Sequence, residues 1–588
     1  MRVLVFAPFS GITDHAEQEW ALIRGLQRDG IETISVTCAG TFDSYCHVMS
    51  AIGITEDTAR TLKKLICKSC IRDQKRLLDT CSNPHLNLHL GDFLSSEDYK
   101  CSQLLVSSAT PESWADIEWE GIPVGRIASY EMFLTYKLED GDIPIELLPK
   151  YRRALTNTIL SAVAASKVLN FYKPDRVLVY NGLYGVNRVW KVIAENFGSP
   201  AYSVHGGFGE FGRKTRLMMY RNELDQARLA SSPEAVSAIR RPLSRNEIEK
   251  VVRDFKSEIS IVSPHRYSAI ESNLTVGMLT EELSLEPSKP VFLAVLSSED
   301  ERLAAKNAGI DIQTGQLVFK DQIEWITELI RIFSLNPNWQ LVVRLHPRMF
   351  PNRRERTLSP SIQTFQNALS KLPANARVSP VEISIYDLLK ICAVGLVRSS
   401  TVGLEMMMMG IPVVSTDPQQ ITGFPPSLAL VAEDVNHYQE LLEIALHDGD
   451  HTRRTVLASR YWFFRNFLAS SPILDIPTDS VRTNFNQRAI ATVNKYLTYM
   501  FGVENKLPSP VRNLIRCSTT WTRGYLRRQL AQRRYLAPAP ISPFLQTLLN
   551  AEPSLRYFSH SSYFPESLVD PTKDEVAVVE SELLQSRL

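Results

Sequence analysis

The stretch Gln340-Leu-Val-Val-Arg344-Leu-His346-Pro347-Arg348 decides the fold, together with Val394-Gly-Leu-Val-Arg398-Ser399-Ser400-Thr401-Val-Gly403-Leu-Glu405 further on. In the first, an apolar run of β-type residues ends on two arginines and an imidazole, and Pro347 stops the strand. Arg344 and His346 are two apart and so project to the same side. With Arg348 they predict a compact cationic cluster suited to a phosphate or diphosphate. In the second, a strand runs through a tight polar turn into a helix. Ser399, Ser400 and Thr401 supply hydroxyls and an N-cap, and the first helical turn presents free backbone N–H groups, which together favour an anion. Gly410 closes that short helix before Ile411-Pro-Val-Val-Ser415 opens the next strand. Glu405, one turn inside, is a candidate for the ribose hydroxyls, or an acid that simply complements the helix N-terminus. The run Met406 to Met409 reads as core filling.

Outward from these corners the same alternation continues. Pro290-Val-Phe-Leu-Ala-Val-Leu296 predicts a buried strand, and Ile323, Ile326, Ile330 and Phe333 share one helical face. The first half opens with Val3–Ala7, a helical stretch from Glu17 to Leu26, and Glu32–Cys38, the βαβ pattern of a parallel sheet. Arg176-Val-Leu-Val-Tyr180 runs into Asn181-Gly182, and Ala201-Tyr-Ser-Val204 runs into His205-Gly206-Gly207. Ligands of open α/β sheets sit at such carboxyl ends. The expected class is therefore α/β, with two Rossmann-like domains facing a cleft. Residues 1–256 form the first domain, 257–289 a linker, 290–435 the second domain, and 436–588 a helical extension and tail.

The chain has 588 residues, 44% hydrophobic and 22% charged, which excludes wholesale disorder and suits two to four domains. Lys and Arg total 65 against 64 Asp and Glu, so there is no chain-wide basic field for nucleic acid. No apolar stretch reaches the ~18 residues of a membrane span, and Pro8 interrupts the first apolar run. These features predict a cytoplasmic protein. Between Val511 and Leu536 lie seven arginines and no acid, interleaved with Leu514, Ile515, Trp521, Tyr525 and Leu526. That pattern fits peripheral contact with an anionic membrane, or a solvated helix packed on the sheet. Of eight cysteines, six fall between Cys38 and Cys101. Cys38, Cys46, Cys67 and Cys70 end in a Cys-x-x-Cys of metal-ligand spacing, although the wide opening pair matches no standard zinc motif. A structural zinc and buried free thiols are the two readings.

His-Pro after an apolar strand, then strand–Ser-Ser-Thr-x-Gly-x-Glu, then Gly-Ile-Pro-Val-Val, resembles the nucleotide-binding domain of bacterial GT-B transferases. The resemblance is nearest to the capsule and surface-polysaccharide transferases, with Kdo transferases, bacterial sialyltransferases and CDP-glycerol glycerophosphotransferases as relatives. It spans roughly residues 1–450 and is dense from Gln340 to Val414. It implies that His346, Ser399, Ser400 and Thr401 hold the phosphates of a nucleotide-sugar co-substrate, with no cofactor required for catalysis and no catalytic metal. It makes the first domain the acceptor side, around Asn181, Gly182, Gly206 and Gly207, with His205 as the base that deprotonates an acceptor hydroxyl. Asp14, His15 and Glu17 are rival bases, and Glu139-Asp140-Gly141 matches the sialyltransferase base element by chance. The expected activity is transfer of a sugar to a glycan or lipid-linked acceptor, in the cytoplasm or on the inner face of the membrane. Polyol-phosphate transfer from CDP-glycerol, nucleotide-sugar epimerisation and a non-catalytic binding subunit stand as alternatives.

Overall fold

The computed structural model describes residues 1–472 and 570–584, apart from 43–45, 52–55, 82–84, 140, 210–211, 213–214, 224–228, 261–266, 268–271, 273, 311–316, 353–354, 356, 399 and 417–422. Six strands build the first sheet: β1 (Arg2–Phe6), β2 (Glu32–Thr37), β3 (His85–His89), β4 (Arg176–Tyr180), β5 (Ala201–Gly206) and β6 (Arg216–Tyr220). Six more build the second: β7 (Val291–Val295), β8 (Gln340–Arg344), β9 (Ala376–Val378), β10 (Val394–Val397), β11 (Val413–Ser415) and β12 (Leu430–Val431). A last strand, β13 (Ser471–Pro472), returns to the first sheet and pairs antiparallel with β6. The orders are β13-β6-β5-β4-β1-β2-β3 and β12-β11-β10-β7-β8-β9. All neighbours in the second sheet run parallel, and in the first only β6 reverses against β5 and β13.

Strand alternation explains the layering. Leu4 and Phe6 enter one core of the first domain, and Val3 and Val5 the other. Leu341 and Val343 face one core of the second domain, and Val342 the opposite one. Burial on both faces is what drives parallel strands to near-continuous apolar runs. The α/β class with two Rossmann-like sheets is thus present.

The domain boundaries differ from expectation. The helices Pro233–Arg240 and Arg245–Ser260 bury Ala235, Ile239, Ile248, Val251, Val252 and Phe255 with Val291 and Val342 of the second sheet. The second core therefore begins near Ala230, well before residue 256. An amphipathic helix carries an apolar stripe but no label for the core that receives it. Beyond residue 435, the helices Val435–His447 and His451–Phe463 also pack on the second sheet. The rest of the expected helical extension, including the arginine-rich stretch, lies outside the described residues until Asp570. The helix Lys573–Val579, opened by a Thr572–Glu575 capping box, adds Val578 and Val579 to the second core.

The two domains touch through loops at the carboxyl edges of the sheets. The helix Asp300–Asn307, which follows β7, inserts Ala304 and Ala305 into the core of the first domain beside Val124–Tyr136. Lys137, 1% exposed, donates to the carbonyls of Phe350 (2.9 Å) and Thr357 across the same boundary. Glu139 accepts there from the hydroxyls of Ser359 and Ser361. Among the described residues, no helix is long and apolar enough to cross a membrane.

Candidate functional site

In the second sheet the chain runs outward from β7 to β8 and β9, then crosses back to β10 on the other side of β7. The crevice between β7 and β10 is the topological switch point, where open α/β sheets bind ligands. The corner after β10 borders it, and the corner after β8 lies one strand further, beyond β7. Arg344, the last residue of β8, is 2% exposed, yet Nη1 and Nη2 of its guanidinium have no hydrogen-bond partner among the described residues. Burial lowers its pKa to about 10, with the hydroxyl of Tyr386 pulling the other way. A buried cation without partners is expensive, so its presence calls for an anion.

His346 is half-buried one corner further on. Its Nδ1 accepts from the backbone N–H of Arg348 at 3.2 Å, so the neutral ring carries its proton on Nε2. Burial first, then the charges of Arg344, Arg348 and Lys137, hold its pKa down to about 3. Burial and these charges thus favour the neutral ring in the ligand-free fold, with Nε2–H as its donor.

Arg348 was expected on the same phosphate and is committed elsewhere. It is 2% exposed, and its Nε binds Asp300 Oδ2 at 2.8 Å. Nη1 binds Glu355 at 2.9 Å and the hydroxyl of Tyr267, and Nη2 reaches the carbonyl of Leu134 in the first domain at 2.9 Å. This guanidinium ties the domains together and spends four of its five N–H groups doing so. Arg398 is likewise taken, by Glu299 (3.2 Å) and the carbonyls of Phe319 and Lys320.

At the β10 corner, Ser399 lies outside the described residues. Ser400 Oγ accepts from Val402 N at 3.3 Å, whereas Thr401 is exposed and its side chain makes no cap bond. The helix that follows, Val402–Met408, has seven residues, with Glu405 half-buried in its first turn. Met406, Met407 and Met408 are fully buried in the second core. On the face of β8 opposite Arg344, Leu345, Phe350, Leu369, Val378 and Pro380 line a largely apolar cavity of about 440 Å³, with Gln366 and Ser379 at its wall.

The first sheet repeats the topology, with its switch point between β1 and β4. There the ring of His15 stacks on Tyr180 at 4.2 Å, and Tyr180 stacks in turn on His205 at 5.6 Å. The expected base and one rival thus share a single aromatic platform. His205 Nδ1 lies 3.2 Å from the carbonyl of Gly206, which can only accept, so the proton is on Nδ1 and the lone pair on Nε2. Glu17 is half-buried on the same helix as His15. The side chain of Asp14 lies outside the described residues, as does Asp140.

The glycines and Asn181 shape this edge. Asn181, at φ +49°, accepts from Leu183 N through Oδ1 at 3.2 Å. Gly206 pairs with Leu217, and Gly207 donates to Arg216 O at 2.9 Å. A Cβ on Gly182 would come within 2.3 Å of Ser203 Oγ and 2.5 Å of Glu223 Oε1. Those atoms belong to a buried cluster in which Lys191 Nζ binds Glu223, Ser203 Oγ (3.0 Å) and the carbonyl of Arg221 (2.7 Å). The sequence gives no sign of it, because its members are up to 32 residues apart. Gly182→Ala is expected to destabilise the fold by about 1–3 kcal/mol, read as a lower urea midpoint at unchanged slope.

No protein-family model matches the chain, and no curated protein matches it in sequence. Solved structures similar to it include KpsC of Thermosulfurimonas dismutans, a β-Kdo 2,4 transferase, at 15% identity over 48% of this chain and 78% of that one, TM-score 0.27. Others are a UDP-GlcNAc 2-epimerase of Methanocaldococcus jannaschii (11%, 78% and 98%, 0.27) and the calicheamicin glycosyltransferase CalG4 (14%, 79% and 95%, 0.25). Likenesses of this size fix neither activity nor residue roles.

Proposed function

We propose that the chain is a GT-B transferase that moves a sugar from a nucleotide-activated donor to a glycan or lipid-linked acceptor in surface-polysaccharide synthesis. The observation that carries this is Arg344, a buried guanidinium at the end of β8 with two nitrogens that have no partner among the described residues. The donor diphosphate meets Arg344 and the Nε2–H of His346, and the corner at Ser400 and Thr401 closes the other side of the switch point. The nucleobase enters the cavity behind Leu345. Charge builds on the departing diphosphate in the transition state, where fixed donors in a water-poor site act most strongly. On the acceptor side, the Nε2 lone pair of His205, steadied on Tyr180, takes the proton of the attacking hydroxyl. The reaction runs at the cytoplasmic face of the membrane, where an anionic surface presents a lipid-linked acceptor.

A thermal-shift panel with CMP, CDP, UDP, GDP and dTDP tests the donor site. At least one nucleotide should raise the melting temperature, since a ligand at a hundred times its Kd stabilises by about 2.7 kcal/mol. If none does, the proposal fails. Sugar appearing on an added acceptor distinguishes transfer from polyol-phosphate transfer, from epimerisation without acceptor and from binding without turnover.

His346→Ala is expected to lower kcat/KM by about a hundredfold or more, the effect of deleting one transition-state donor. His346→Asn, which keeps an N–H, should recover part of that. Because the folded ring takes a proton only near pH 3 and an unfolded one near the ordinary 6.5, this residue makes stability rise with pH between those values. Nucleotide affinity should therefore show no His346 step between about pH 5 and 8. A Kd that weakens tenfold as pH rises through that window would show that the charged imidazolium is the binding form.

A further inference from the structure

The helix Glu56–Leu78 carries two unlike faces. On the inner one, Ile66 and Leu77 are buried, one in each core of the first domain. Cys67 and Cys70 belong to the same side. Cys70 Sγ accepts from Gly11 N at 3.2 Å, and a Cβ on Gly40 would lie 3.7 Å from Cys67 Cβ. Cys38 and Cys46 pack against the first of these cores, and all four cysteines are free thiols. Among the described residues no three His, Cys, Asp or Glu are placed to hold a metal ion, so the four cysteines as they stand do not fit a zinc.

The outer face has a different chemistry. At 3.6 residues per turn, Lys64, Leu65, Lys68, Ile71, Arg72 and Lys75 fall within an arc of about 120°. Lys64, Lys68 and Lys75 are exposed and Arg72 is half-buried. Leu65 is 62% exposed and Ile71 41%. The arc carries no acid, since Asp73, the sole acid between Lys63 and Leu78, lies outside it. Four cations and two large aliphatic side chains thus share one solvent-facing surface.

Its place in the fold gives that surface a direction. Gly11 and Gly40 stand in the loops after β1 and β2, so the helix crosses the carboxyl edge of the first sheet at Cys67 and Cys70. From there it descends toward β3, which starts at His85. The turns before Cys67, with Lys64 and Leu65, stand beyond the edge, where Lys63 Nζ donates to the carbonyl of Phe42. The same edge carries His15, Tyr180 and His205.

A nucleic-acid backbone would satisfy the four cations and leave both aliphatic groups in water. A bilayer with anionic headgroups satisfies the two together: the headgroups meet the cations, and Leu65 and Ile71 enter the acyl boundary. We infer that this face of the helix Glu56–Leu78 docks the first domain on an anionic membrane surface, with the acceptor edge toward the lipid. The bilayer as partner rests on the lipid-linked acceptor proposed above, whereas the charge and exposure of the face stand without it.

Full-length protein should co-sediment with phosphatidylcholine vesicles containing about 30% phosphatidylserine at about 0.15 M salt, and come off as salt rises. Lys64→Glu with Lys68→Glu should weaken partition at least about tenfold, since each cation near such a surface is worth about fivefold. Leu65→Ser with Ile71→Ser should also weaken it while leaving its salt dependence unchanged. Lys320→Glu with Lys371→Glu alters net charge equally at exposed positions of the second domain and should change partition by less than about twofold. Melting temperatures without vesicles confirm that each variant is folded. An unsubstituted chain that stays in the supernatant overturns the docking face. So do helix variants that bind as before, a second-domain control that loses as much, or equal affinity for a short DNA duplex. Nucleotide shifts taken without vesicles report the donor site separately, so failure of that site and failure of docking give different results.

Discussion

Replacing Arg344 by methionine should make the ligand-free protein more stable, by about 1–3 kcal/mol, while removing its response to nucleotide. The sign follows from the burial. Nη1 and Nη2 have lost water and gained no partner among the described residues, so the folded state bears their desolvation. Methionine fills similar volume without that cost. The cation's pKa is already depressed, to about 10, by the same loss of water. With a diphosphate present the balance inverts, because the guanidinium then makes paired, charge-assisted bonds. Urea unfolding of both proteins, with and without the nucleotide that gives the largest thermal shift, reads both halves at once. A methionine variant that is less stable alone, or that keeps a full nucleotide shift, would show that Arg344 is a structural residue with partners of its own. A stability gain coupled to loss of binding is the signature of a site held in strain for function.

Whether an arginine is available to a ligand could not be read in the sequence. Arg344 and Arg348 stand four apart with the same chemistry, and both were expected on one phosphate. What separates them is tertiary. Asp300, Glu355 and the Leu134 carbonyl, from 7 to 214 residues away, converge on Arg348, whereas among the described residues none bonds to Nη1 or Nη2 of Arg344. The strands themselves were legible, because an apolar run cut off by Pro347 or by Asn181-Gly182 is a local signal. The switch points were not, since strand order depends on which crossovers return. They place His15 beside Tyr180 as firmly as His205. β13 escaped notice as well: two residues, Ser471 and Pro472, take their strand character entirely from the edge of β6.

Removing the carboxylate of Glu575 should cost about 3–5 kcal/mol, the largest single-residue effect expected in this chain. Both Glu575 and its partner Arg460 are 0% exposed, joined through Nε at 2.8 Å and Nη2 at 2.7 Å. Glu575 also accepts from Leu243 N at 2.8 Å and Thr572 N at 2.9 Å. Glu575→Ala therefore leaves a buried guanidinium, an orphaned backbone N–H and a broken helix cap together. Glu575→Gln, which keeps the shape, should lose less. The double replacement Arg460→Met with Glu575→Leu should recover most of the loss, because no charge is left behind. The acid limb gives an independent check. Burial pushes the Glu575 carboxyl up, but Arg460 and the N–H groups of Leu243 and Thr572 bring it net below its ordinary 4.5. Its contribution is then fully present above that value and fades as pH falls through the lower folded pKa. The stability gap between wild type and Glu575→Ala should narrow over the same interval. A gap that stays constant with pH, or a double variant no better than the single, would mean that the pair does not hold the returning helix. The link joins segments far apart in sequence, because Arg460 lies on the helix His451–Phe463 and Glu575 on the helix Lys573–Val579.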